Sequence, residues 1–76
     1  MSIKEAVVCR FKELMADQNL KANELAVKAG ITPSTVYSML DPNRNDISIK
    51  TIKKLCDGLG MSLAEFFSSE LFNHTI

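Results

Sequence analysis

The chain has 76 residues, 46% hydrophobic and 24% charged, with nine basic and nine acidic side chains and a formal net charge of zero. Such a length holds one small domain, and such a composition excludes intrinsic disorder. The zero balance excludes a nucleic-acid binder recognisable from bulk charge alone, and no apolar run reaches the roughly 18 residues of a membrane span.

Charge is unevenly placed. Residues 1–20 balance. Residues 21–54 hold Lys21, Lys28, Arg44, Lys50, Lys53 and Lys54 against Glu24, Asp41 and Asp46, a net of +3. Residues 55–76 hold Asp57, Glu65 and Glu70 with no Lys or Arg, a net of −3. Phosphate contact depends on the local field, so the basic middle of the chain keeps it open.

Helical periodicity dominates, and no segment alternates with period two. A first helix is expected over Ile3 to Asp17. Ser2 and Glu5 have capping-box spacing at its start. Ile3, Val7, Phe11 and Leu14 form its apolar stripe, widened by Val8 and Met15, and Asn19 can end it in a left-handed conformation. A second helix is expected over Ala22 to Ala29, with Leu25, Ala26 and Ala29 inward and Gly30 as terminator.

The third helix is expected over Pro33 to Leu40. Thr32 is placed to cap it, Pro33 is preset for its first position, and Ile31 and Val36 can staple its start. Pro42 disfavours helical geometry at Asp41 and stops it there. After the loop "DPNRND", a fourth helix is expected over Ile49 to Leu59, capped by Ser48. Its inner face is Ile49, Ile52, Leu55, Cys56 and Leu59, and its outer face is Lys50, Lys53, Lys54 and Asp57. Gly58 should weaken its last turn, and Gly60 should end it.

A fifth helix is expected to start at Ser62, which pairs with Glu65 as a second capping box, and to run to about Phe67 or Ser68. Residues 1–68 then form one domain and residues 69–76 a tail. The expected fold is all-α, a compact bundle of five short helices.

Cys9 and Cys56 both fall in apolar stripes and are expected as small core residues. With no CxxC and only His74 among histidines, no metal site or other cofactor is expected. The opening "MSIKEAVVCRFKEL" is charged throughout and lacks a signal-peptide core, so a cytoplasmic protein is expected.

One constellation carries function. Two helices crossing steeply need a small residue at the crossing, which Ala26 supplies, and a sharp reversal, which Gly30 supplies. They need apolar inner faces, which Leu25, Ile31, Val36 and Leu40 supply. That is the helix-turn-helix pattern, whose second helix enters the DNA major groove.

At these residues the chain resembles the Cro- and phage-repressor-like helix-turn-helix regulators, the lambda-repressor-like domains. The resemblance spans roughly residues 4 to 68 and rests on "NELAVKAGITPSTVYSML" followed by "SIKTIKKLCDGLGMSLAEFF". It implies a repressor that binds a pseudo-palindromic site on double-stranded DNA as a homodimer. Mapped residue by residue, it puts Thr32, Pro33, Ser34, Thr35 and Ser38 on the groove-facing side, with Tyr37 at the edge. Hydroxyls can bond base edges or phosphates, and methyl groups can touch thymine. Backbone phosphates fall to Lys21 and Ala22 at the start of the second helix, and to Asn43, Arg44, Asn45 and Ser48 around the loop. Where the resembled family commonly pairs an Arg on the first helix with an acid closing the third, this chain has Met15 and Leu40, and an apolar contact is expected instead. The C-terminal apolar residues Phe67, Leu71 and Phe72 are the candidate dimer surface.

A second class uses the same fold as a protein-interaction module or antitoxin-type partner, with Tyr37 and the phenylalanines meeting protein. An enzyme is disfavoured: the sequence has no Ser/His/Asp or Cys/His arrangement and no phosphate-cradling glycine loop, and no small-molecule substrate is evident.

Overall fold

The computed structural model describes residues 1–44 and 46–76. Among them lie five α-helices and no strand. The helices are α1 (Ile3–Asp17), α2 (Ala22–Ala29), α3 (Pro33–Leu40), α4 (Ile49–Leu59) and α5 (Leu63–Phe66), and a 3₁₀ helix over Glu70–His74 follows. The first four match their expected bounds. The fifth is a single turn.

The start signals in the sequence become hydrogen bonds. Ser2 and Glu5 close a capping box on α1, and Ser62 and Glu65 close one on α5. The Ser2 backbone N–H donates to the Glu5 carboxylate and holds its carboxyl below the usual carboxylate range. Ser48 Oγ accepts the Thr51 N–H at 3.1 Å and caps α4.

Three helices stop by one device. Asn19, Gly30 and Gly60 all have positive φ, at 54°, 69° and 73°. The next residue's N–H turns back in each case: Leu20 to Met15 at 2.8 Å, Ile31 to Ala26 at 3.0 Å, and Met61 to Cys56 at 3.0 Å. This is the Schellman lock, which satisfies carbonyls the helix cannot. The residue that closes each lock is apolar, and all three pack on the core.

The other two helix ends have no left-handed residue, and α1 supplies their caps. Lys4 Nζ donates to the Asp41 carbonyl at 2.7 Å, just beyond α3. Arg10 donates to the Phe66 carbonyl at 2.9 Å and the Glu65 carbonyl at 3.1 Å, at the end of α5. A cation suits a helix C-terminus, where the dipole is negative. Gln18 adds a bond to the Leu59 carbonyl of α4 at 3.2 Å. The first helix therefore straps the last turns of three others.

The core is Val7, Phe11, Leu14, Leu25, Ala26, Val36, Met39, Ile52, Leu55, Cys56, Leu59 and Phe66. Burial pushes the Cys56 thiol up, so it stays protonated among these apolar neighbours. Several stripe positions differ from expectation. Ile3 and Ile49 are exposed, because each sits in the first turn of its helix, beyond the packed layer. Cys9 is half-buried at a pocket wall rather than in the core. Leu40 is half-buried and the adjacent Met39 takes the core position. Met15 and Leu40 both pack at the core's edge, yet the tie between α1 and the end of α3 is the polar Lys4 bond.

The tail folds back. The 3₁₀ helix packs on α1, and the Ile76 N–H reaches the Met1 carbonyl at 3.1 Å. Phe11, Phe66, Phe67 and Phe72 form an aromatic cluster with ring centroids 4.5–5.7 Å apart.

Gly58 has the opposite role to the one its helix propensity suggests. A Cβ there would lie 2.8 Å from the Ala29 nitrogen and 3.0 Å from the Ala29 Cα. The last turns of α2 and α4 meet backbone to backbone at this point. Gly58→Ala would gain about 1 kcal/mol of helix propensity, but overpacking against rigid backbone costs about 1–3 kcal/mol. We expect net destabilisation in urea unfolding; a more stable variant would disprove the close approach.

Candidate nucleic-acid interface

The turn and α3 define the site. Gly30 and the Ile31 lock reverse the chain after α2, and Val36 and Met39 bury one side of α3. An eight-residue helix is marginal alone, so this packing fixes both its shape and its direction. Thr32, Pro33 and Ser34 remain exposed, Thr35 and Ser38 half-exposed, and Tyr37 is 56% exposed.

Thr32 occupies the N-cap position, but its side chain makes no capping bond. Its Oγ1 lies 3.0 Å from Ser34 Oγ and 2.9 Å from Thr35 Oγ1. This corrects the expected cap: the hydroxyl belongs to a surface cluster of three. Hydroxyl protons rotate freely, so the cluster can present donors or acceptors to a partner. Tyr37 leans toward α2, with its hydroxyl donating to Asn23 Oδ1 at 3.3 Å. Asn23 was not singled out from the sequence, and the contact depends on the crossing of the two helices.

A groove of about 180 Å³ runs beside α3 and brings together Thr35, Ser38, Arg44 and Ser48, all predicted site residues distant in sequence. Thr51 and Asp46 complete its polar wall. Ser48 Oγ lies 2.9 Å from Thr51 Oγ1, at the N-terminus of α4, where first-turn amides favour an anion. Asp46 is an acid on this wall that the sequence reading did not place, and it offsets part of the positive field.

Asn43 and Arg44 are exposed. The Asn43 N–H donates to Asp41 Oδ1 at 2.9 Å and the Arg44 N–H to the Asp41 carbonyl at 3.1 Å, which shapes the loop and leaves the Arg44 side chain outward. Asn45 lies outside the described residues. Lys21 is exposed and Ala22 half-buried at the start of α2, but the Lys21 N–H is taken by Glu24 Oε1 at 3.0 Å. Lys50 and Lys54 are exposed on α4, and Lys53 pairs with Asp57. Phe67, Leu71 and Phe72 are half-buried, with both rings inside the aromatic cluster.

The reversal at Gly30 and the outward hydroxyl face of α3 define a helix-turn-helix fold. The family profile of the Cro/C1-type HTH DNA-binding domain matches residues 10–70. The chain belongs to this Cro/C1-type helix-turn-helix family. It is also similar to the crystal structure of the prophage Lp1 protein 11, at 36% identity and a TM-score of 0.84, covering 99% of this chain and 100% of that one. No curated protein matches it.

The N-cap positions of α3 and α4 give a direct contrast. Ser48→Ala should cost about 1 kcal/mol of unfolding free energy. Thr32→Ala, which removes no capping bond, should cost less than about 0.5 kcal/mol. Equal losses in thermal or urea unfolding would mean that Thr32 caps α3 after all.

Proposed function

We propose that the protein is a transcriptional repressor that binds a pseudo-palindromic DNA site as a homodimer, with α3 in the major groove. The observation that carries this is the groove beside α3, whose lining gathers Thr35, Ser38, Arg44 and the Ser48 end of α4. A side chain that can bond a phosphate thus sits next to side chains that can bond bases.

Thr32, Pro33, Ser34, Thr35 and Ser38 form the reading surface. They are short, so α3 must approach the base edges closely, and methyl–thymine and hydroxyl contacts replace long bidentate ones. Tyr37 lies at the rim. Arg44 makes the leading phosphate contact, supported by Lys21, Ala22, Asn43, Asn45 and Ser48. One eight-residue helix offers limited specificity, since each base pair contributes about 1–3 kcal/mol; a second copy doubles the site. Phe67, Leu71 and Phe72 are the proposed dimer surface. Ile3 and Ile49, both exposed, share an apolar groove with Phe67 and extend that surface.

Titration of DNA binding against salt tests the reading. Affinity should fall linearly on a log–log plot, and Arg44→Ala should reduce the slope by about 1 per protomer. Ser34→Ala should change preference among sequences while leaving the salt slope intact. Weak, salt-independent association would instead favour the protein-interaction module.

A further inference from the structure

A pocket of about 330 Å³ lies between α1 and the loop after α3, and it shares Arg44 with the groove beside α3. Three cationic side chains line it: Lys4, Lys12 and Arg44. Val8, Cys9 and Leu40 supply apolar wall. The one acid in the lining, Glu5, is already committed to the Ser2 N–H at 3.0 Å.

Lys4 is the unusual member. It is only 7% exposed, and among the described residues its ammonium has one hydrogen-bond partner, the neutral Asp41 carbonyl at 2.7 Å. An ammonium carries three donors. Among the described residues, no carboxylate forms an ion pair with it. A buried charge without a counter-charge is costly. An anion in the adjoining pocket would supply both the charge and the missing acceptors.

We propose that this pocket binds a small organic anion, a carboxylate or phosphate carried on an apolar body. The anionic head sits among Lys4, Lys12 and Arg44, and the body lies against Val8, Cys9 and Leu40. Arg44 lines both this pocket and the groove beside α3. A bound anion draws its guanidinium away from DNA and lowers DNA affinity. That consequence rests on the DNA reading; the binding itself does not.

Cys9 provides the readout. It is half-buried in the pocket wall, while Cys56 is fully buried, so iodoacetamide alkylation of the folded chain reports Cys9. The probe is phenyl phosphate, at constant ionic strength and without DNA. It should slow alkylation saturably, by about tenfold at about ten times its dissociation constant, because only the empty pocket reacts. Inorganic phosphate should protect more weakly, for lack of an apolar body. Lys4→Met should abolish protection; should that variant not fold, the surface pair Lys12→Gln with Arg44→Gln carries the same test. An unchanged alkylation rate overturns the proposal, as does protection that survives loss of Lys12 and Arg44. Protection by duplex DNA but by neither phosphate compound would assign these cations to the DNA backbone and also overturn it. Because the assay contains no DNA in its main arm, a failure to bind DNA leaves its result standing.

Discussion

The hydrogen bond from Lys4 to the Asp41 carbonyl holds the end of α3, and much of the molecule is arranged around it. The helix that faces outward is two turns long and would not persist alone. Its start is set by the Gly30 reversal and by Pro33. Its end has no left-handed residue and no glycine, because Asp41 is extended ahead of Pro42. The cap therefore comes from another element. Lys4 must be buried to reach it, and this same burial leaves a cation beside an open pocket and fixes where the Arg44 loop begins.

The same logic extends along α1. Arg10 closes α5 and Gln18 bonds the end of α4, so the longest helix acts as a strap across three C-termini. The apolar core supplies the bulk of the stability, but these bonds are directional and set where each short helix stops. Close passage of α2 and α4 at Gly58 completes the frame, holding α2 and, through its turn, α3. The outward face of α3 contributes nothing to the buried core, though Tyr37 on it bonds Asn23 of α2. It carries the small hydroxyl residues Thr32, Ser34, Thr35 and Ser38.

Helix bounds were legible in the sequence because caps are local. Ser2, Ser48, Ser62, Asn19, Gly30 and Gly60 each act within a few residues of where they stand. The fold class followed from them, and the helix-turn-helix from the spacing of Ala26, Gly30, Ile31 and Val36. What the sequence concealed was tertiary. A 3.6-residue period cannot say that Ile3 and Ile49 project beyond the core, or that Met39 rather than Leu40 is the buried neighbour. Nor can it show that Lys4 reaches 37 positions along the chain, or that Gly58 is required by a crossing. At the site, the hydroxyl face of α3 was readable. The groove that joins it to Arg44 and Ser48, and the acid Asp46 on its wall, arise from the packing of the loop against α4.

Selection of bound duplexes from a random DNA pool asks whether a short, hydroxyl-lined helix reads sequence at all. An enriched inverted repeat is expected, with half-sites about one helical turn apart, as for two copies of α3 in successive major grooves on one face of the duplex. Recovery of no sequence above the unselected pool, from protein shown to be folded, would contradict it.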